Sequence, residues 1–453
     1  MTERPSTFTD RLLMKTIVLV FIVGAAIITY ASEAKCQNAG TSHAADTPSD
    51  QARETTGDPQ IASLQDLTNE ALQRSPMLVS ARKHWEALTK VPRQVSTLPD
   101  PQIGLQHFTV GSPQPFSGYE TSDFYYTGFG VSQDIPGPGK LRLRAEQARQ
   151  EAEAAQHAFE VQQRQVVEQV RETYFNLFYL KKTLAVLLET QGDLQSIERN
   201  VEAQYHVGMV QQQDVLKAQI TLTQFLDEIE MHHQSVDQSQ ATLKAIIGRE
   251  QDSPAIAIAN LTPTEFSLDD RRLRQLGLSK SPTLKQAEAM EEASQTALAL
   301  AKRDYIPDFT VGYSYEKTGV KFKDYYMLTL GAKVPLYFWR KQTPAVEQSA
   351  LESESARADA SSKRLSVMAD LQNRAIALRT TQRVLKLYSE GLVPQAEATR
   401  SSALAAYRVN KVDFQTLLSA VTDVLRVKQE YYRTLADHEI AVAKIREIIG
   451  EQS

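Results

Sequence analysis

Gly137-Pro138-Gly139-Lys140 is the place where this chain comes nearest to a phosphate-binding loop, in which glycine N–H groups and a lysine cradle a phosphate. The match fails at two residues: Leu141 stands where Ser or Thr is needed, and Asp134 where the first Gly is needed. The segment therefore reads as a turn and a helix start. His232-His233 offers two imidazoles, but neighbouring residues on a helix point about 100° apart, whereas a zinc helix places its ligands at i and i+4. His232 and His438 read instead as packed, hydrogen-bonded side chains. Cys36 is the single cysteine, which excludes a disulfide framework and any Cys-based zinc site. No Ser-His-Asp set or carboxylate pair stands in a pocket-forming context, so the chain reads as a non-enzyme with no cofactor and no metal site. What remains is charge at two turns. Asp214 and Asp413 lie just beyond them, beside Tyr205, Tyr407, Arg408 and Lys411. Carboxylate rings at a narrow mouth favour cations, and Arg or Lys pairs between copies would hold such a mouth shut. On isolated turns the same residues are solvated charges.

The two turns are copies of one another. Tyr205-His206-Val207-Gly208-Met209-Val210 returns as Tyr407-Arg408-Val409-Asn410-Lys411-Val412, and Ala245-Ile246-Ile247-Gly248 as Glu447-Ile448-Ile449-Gly450, both displaced by 202 positions. Upstream, Leu72-Gln73-Arg74-Ser75-Pro76 returns as Leu278-Ser279-Lys280-Ser281-Pro282 with a displacement of 206. This period is too long for a solenoid unit, so it implies two equivalent structural halves. We place repeat 1 at 61–250, a connector at 251–268 and repeat 2 at 269–450.

Each half changes its hydrophobic period in the same order. A first helix (about Leu64 to Ser96, and Asp269 to Asp304) gives way at a proline to alternation of period two, the mark of a strand. Phe309, Val311, Tyr313 and Tyr315 oppose Thr310, Gly312, Ser314 and Glu316, and Tyr326, Leu328, Leu330, Ala332 and Val334 oppose Met327, Thr329, Gly331 and Lys333. The expected strands are about 101–110, 123–135, 307–316 and 325–335. One apolar and one small or polar face suits either a half-buried soluble sheet or a transmembrane barrel with water inside. Four strands cannot close a barrel, and an open edge cannot face lipid, so membrane strands here would have to be pooled from several chains. Three chains would supply about twelve. Tyr337-Phe338-Trp339, after the last strand, fits a membrane interface belt or a local core under a turn.

Long helices follow, about 140–206 and 344–408. At 1.5 Å per residue each spans roughly 100 Å, wider than any globular core. Gly192 and Pro394 align at the displacement of 202 and are expected bends or weak points. The chain then returns on helices at about 211–248 and 412–449, whose apolar residues recur every seven positions: Val215, Leu222, Ile229, Val236 and Leu243, and Leu417, Val424, Tyr431, His438 and Ile445. This is a heptad seam. Its small and polar members fit a wall of helices around a bore better than a dry zipper.

At the N-terminus, Arg11 and Lys15 precede an apolar run from Ile17 to Ile28 and then small residues, a removed signal peptide over 1–34, followed by a disordered leader at 35–60. Cys36 raises lipidation, but Glu33-Ala34-Lys35 lacks the pattern a lipid-attaching enzyme wants. A net charge of -5 provides no basic face for nucleic acid, and 42% hydrophobic residues suit long helices with modest cores.

The chain resembles the TolC-like outer-membrane factor family from about Leu64 to Gly450. The resemblance rests on the tandem repeat, the Tyr205 to Gly208 turn, Gly391-Leu392-Val393-Pro394-Gln395-Ala396, and the strand exit Gln133-Asp134-Ile135-Pro136-Gly137-Pro138-Gly139-Lys140. It implies a mainly α protein with a membrane β-barrel portion: two tandem repeats, each helix-strand-strand-long helix-helix, in a homotrimer whose 12-stranded barrel sits on a long α-helical periplasmic tunnel. It also implies a passive exit duct in the Gram-negative outer membrane, in contact with outer-membrane lipid. The implied partners are a periplasmic adaptor (membrane fusion protein) and an inner-membrane RND-type or ABC transporter. The strand exit is most similar to members serving heavy-metal cation exporters of the cobalt-zinc-cadmium or copper-silver type. A drug efflux or type I secretion duct is the alternative, and a soluble envelope coiled-coil scaffold a remoter one. Thr416 and Ser419 stand where some members carry two acidic residues, so no strong acidic constriction is expected there.

Overall fold

The computed structural model describes residues 63–109, 125–266, 269–319, 322–409 and 411–449. The expected signal peptide (1–34), the leader (35–60) with Cys36, and the loop between the first two strands (110–124) lie outside them.

Prolines decide how the first helical segment of each repeat is cut. The stretch expected as one helix from about Leu64 to Ser96 is three: α1 (Leu64–Arg74), α2 (Pro76–Leu88) and α3 (Val91–Ser96). Pro76 and Pro92 sit in the first turns of α2 and α3, where a missing N–H is harmless, while the residue before a proline is pushed out of helical geometry. Ser63 caps α1 by accepting from the Asp66 N–H at 3.1 Å. The second repeat is cut the same way at Pro282, into α6 (Asp270–Lys280) and α7 (Pro282–Arg303), with Ser281 as the cap.

The strands are β1 (Gln102–Thr109), β2 (Tyr125–Ile135), β3 (Asp308–Thr318) and β4 (Tyr325–Lys333). They form one four-stranded antiparallel sheet in the order β1-β2-β3-β4. The central β2–β3 pairing joins the two repeats, with Phe129 opposite Tyr315 and Val131 opposite Tyr313. Register places Ile103, Leu105, Phe129, Val131, Tyr313, Leu328 and Leu330 on one face, and that face is bare: Ile103 is 70% exposed and Leu330 74%. The other face carries Gly104, Gly130, Ser132, Gly312, Ser314 and Thr329, bordering a groove of about 310 Å³. Among the described residues, β1 and β4 pair on one side only, so both sheet edges are open.

Below the sheet run α4 (Lys140–His206) and α5 (Gln212–Ile247) in the first repeat. In the second run α8 (Gln342–Leu387), a π turn (Tyr388–Leu392), α9 (Val393–Arg408) and α10 (Phe414–Ile449). The 67 residues of α4 pass through Gly192 as one continuous helix. A glycine only weakens a helix by about 1 kcal/mol, whereas Pro394 removes a donor and its ring clashes with the carbonyl four residues back. The π turn just before Pro394 widens the ladder where that clash would fall. Among the described residues no helix is long and apolar enough to cross a membrane.

The helical core is continuous between repeats. Near the hairpin tips, Leu187, Leu194 and Val201 of α4 pack with Phe225 and Ile229 of α5, Tyr407 of α9 and Leu417 and Val421 of α10. Nearer the sheet, Val166, Val170 and Leu177 of α4 pack with Leu67 and Leu78 of α1 and α2 and Leu243 of α5. Connector residues are tied to this body by side chains: the Gln240 amide bonds both the N–H and the carbonyl of Ile256, and Glu439 accepts from the N–H and hydroxyl of Thr264. His438 is buried and hydrogen-bonded, its Nε2 lying 2.9 Å from the Thr264 carbonyl.

Candidate functional site

The six candidate gate residues all fall in or beside the two hairpin turns. Gly208 closes the first in the left-handed conformation, φ +73°, which a residue with a Cβ adopts only with strain. Tyr205, in the last turn of α4, is 40% exposed with its ring beside His206. Asp214, in the first turn of α5, is half-buried. Tyr407 is 3% exposed, and its hydroxyl has no hydrogen-bond partner among the described residues. Burial, and then the Asp214 carboxylate, push the Tyr407 phenol above its ordinary range. The structure thus brings Tyr407 and Asp214 together across two hairpins of one chain.

The other three stand apart from this pair. Asp413 caps α10, its carboxylate accepting from the Thr416 N–H at 2.9 Å. Hydrogen bonds from the Thr416 hydroxyl and N–H hold its carboxyl below the usual range, with Lys217 of α5 adding a smaller pull. Arg408 and Lys411 are exposed and form no ion pair among the described residues. A cap and two unpaired cations at the tips leave charge available to another copy or another protein, rather than closing anything within the chain.

Charges that sequence reasoning missed lie about two to five turns above the tips. Arg400 of α9 pairs with Asp193 of α4, and Lys428 of α10 bridges Glu397 of α9 at 3.0 Å and Glu189 of α4 at 3.8 Å. These pairs tie the helix column carrying the π turn to the unbroken column of the first repeat. They join residues 207, 239 and 31 positions apart, and no local pattern announces such pairs.

A third cluster holds sheet to helices. Lys140, the first residue of α4, is 3% exposed, with Nζ 2.8 Å from Asp308 Oδ1 and 3.5 Å from Asp304. The Gly137 N–H donates to the same Asp308 oxygen at 2.7 Å. Gly139 at φ +85° makes the turn that sends the chain from strand to helix. The Gly-Pro-Gly-Lys segment is therefore a junction, and its lysine holds a carboxylate of the other repeat. A fourth lies between α4, α8 and α10: Lys444 bonds Glu168 at 2.9 Å and also Glu172, and Arg374 is 3.5 Å from Glu168. Burial opposes charge on Lys444, but its bonds to Glu172 and Glu168 outweigh that and raise its basicity. Among the described residues no group of three or more His, Cys, Asp or Glu is placed to hold a metal.

The chain thus joins a four-stranded sheet with open edges to long helical hairpins. The solved structures similar to the chain share that fold. The Campylobacter jejuni outer membrane channel CmeC superposes with a TM-score of 0.75 at 13% identity, covering 92% of this chain and 94% of its own. The Vibrio cholerae outer membrane protein VceC gives 0.72 at 17%, covering 85% and 96%, and CusC gives 0.73 at 15%, covering 86% and 92%. No curated protein matches the chain. A family model described as outer membrane efflux protein matches residues 67–249 and 273–451, and the chain belongs to that family of outer-membrane transport channels.

Proposed function

We propose that the chain is one third of a passive outer-membrane exit duct, a homotrimer in which three four-stranded sheets close a 12-stranded barrel and the helical hairpins form a periplasmic tunnel. The observation that carries this reading is the sheet itself: its apolar face is bare, its opposite face is lined by small and polar residues, and both edges are open. Edges with unmet N–H and C=O groups cannot face lipid, and identical neighbours satisfy them symmetrically. Uncovered apolar residues on α8, such as Leu351 and Leu365, two heptads apart, supply a matching helical contact between copies. Tyr337-Phe338-Trp339, exposed just below β4, forms the interface belt.

The tips form the gate. Asp214, Asp413, Arg408 and Lys411 from three copies converge about the axis, with Tyr205 and Tyr407 beside them, and a periplasmic adaptor that engages the exposed Arg408 and Lys411 opens it. Energy comes from an inner-membrane pump of the RND or ABC kind. The cargo reading is heavy-metal cations, supported by the Pro136 to Lys140 strand exit; drugs or secreted polypeptides are the alternative. Planar-bilayer recording of the purified protein is the test: Arg408→Ala with Asp413→Ala should raise conductance, and unchanged conductance would count against this gate. A strain lacking the gene should lose tolerance to zinc, cobalt, cadmium, copper or silver and keep its tolerance to drugs; the reverse pattern would reassign the cargo.

A further inference from the structure

Glu316 is 0% exposed, and among the described residues neither of its carboxylate oxygens has a hydrogen-bond partner. It belongs to the small-residue face of β3, opposite Gly128 on β2 and Tyr325 on β4. The carboxylate lies against the Gly128 backbone, where any Cβ would overlap it. Tyr325 is 6.0 Å, ring to ring, from Tyr126, which stacks on Phe108 at 5.4 Å, so aromatic rings border the carboxylate on this face. Ser314, two residues back on the same face, is buried with its hydroxyl likewise unpartnered. Lys317 cannot serve Glu316, because strand alternation sends it to the opposite face.

A buried carboxylate without partners is expensive as an anion. Protonation removes the charge but leaves an O–H donor and a carbonyl acceptor unsatisfied, which is itself costly. A cation meets both needs. Calcium or magnesium wants six or more oxygens, and one carboxylate with one hydroxyl falls far short. A tetrahedral zinc site wants four N, S or O ligands, and no group of three or more His, Cys, Asp or Glu is brought together among the described residues. An ammonium-type cation needs only a counter-charge and neighbouring aromatic rings: Glu316 supplies the first, and Tyr325 and Tyr126 border it on the same face. We propose that Glu316, floored by Gly128 and walled by Tyr325 and Tyr126, is a binding site for an organic ammonium cation. The site lies about 27 Å along β3 from the helical junction, at roughly 3.4 Å per residue over the eight residues from Asp308. It rests on the duct reading only for its position, inside the bore near the outer mouth, once per chain.

Calorimetric titration of the detergent-solubilised full-length protein with tetramethylammonium chloride tests the site, with sodium and calcium chloride at matched ionic strength as controls. One saturable site per chain is expected. Glu316→Gln, which keeps the shape, should weaken binding at least tenfold. Tyr325→Leu should weaken it about twofold to fivefold, as loss of a ring–cation contact does, and calcium should not compete. Affinity unchanged in Glu316→Gln would overturn the proposal. Equal competition by calcium with no effect of Tyr325→Leu would overturn the ammonium assignment. The readout is separable from the duct: binding without current across a planar bilayer would defeat the duct reading and leave the site standing. A conducting channel whose titration ignores Glu316→Gln would do the opposite.

Discussion

Replacing Asp308 by Ala should unfasten the sheet from the helices, and the structure sets how much that costs. Asp308 Oδ1 receives both the Lys140 ammonium at 2.8 Å and the Gly137 N–H at 2.7 Å. The Lys140 side chain is 4% exposed, so it cannot be rehydrated in place; Asp308 is 40% exposed and can. Stripping one partner from a buried pair costs about 3–5 kcal/mol. Solvent at Asp308, and Asp304 remaining 3.5 Å from Nζ, cut this to about 2 kcal/mol. The orphaned Gly137 N–H adds about 1 kcal/mol. The total of about 3 kcal/mol is roughly two decades in an unfolding constant. Lys140→Met should lose only about 1 kcal/mol, because the aliphatic stem is kept and the carboxylate left behind is hydrated. Guanidinium unfolding of the detergent-solubilised protein, followed by circular dichroism, measures both variants. If Asp308→Ala proves no worse than Lys140→Met, the asymmetry argument is wrong and the pair is not the fastening.

Three further outcomes follow from the helices. Arg400→Ala removes a half-exposed pair worth about 0.5 kcal/mol; stability should barely move, while conductance at low salt should rise about twofold, an increase that vanishes in high salt, and a salt-independent change would point elsewhere. Gly248→Ala should destabilise by about 1–2 kcal/mol, since Gly248 ends α5 at φ +77° with the Arg74 carbonyl 2.9 Å from where a Cβ would sit, and an unchanged thermal midpoint would contradict that. Burial holds the Glu447 carboxyl above its ordinary 4.5, with Arg171 pulling the other way. The folded chain therefore binds the extra proton, so this residue's contribution to stability declines as pH rises from 4.5 through the folded value. Glu447→Gln should flatten that slope in a pH series of thermal midpoints; identical slopes would refute it.

The parts of this fold that could be read along the chain are those in which a residue's environment follows from its own neighbours. Phe309, Val311, Tyr313 and Tyr315 alternate with Thr310, Gly312, Ser314 and Glu316 because a strand shows two faces, and register shows both. Pro76, Pro92 and Pro282 cut helices for reasons internal to a proline, which is why each first helix, expected whole, is divided. Gly192 lies inside a continuous helix because a glycine lowers helix stability without forbidding a helix, and the packed length on either side carries it. The site was harder. Asp214 and Asp413 could be placed at the turns, but the burial of Tyr407 against Asp214 depends on two hairpins meeting. Lys140 reads locally as a helix start, and its acceptor lies 168 positions away. Glu316 reads as one more polar residue on the wet face, and only the cross-strand neighbours Gly128 and Tyr325 reveal that it is enclosed.

All of this depends on the open edges of β1 and β4 being closed by copies of the same chain. Native mass spectrometry of the protein released from detergent micelles counts those copies directly. Three chains per particle, falling to one on heating together with loss of β signal, is the predicted result. A single chain that stays folded and dispersed in water without detergent would contradict the account.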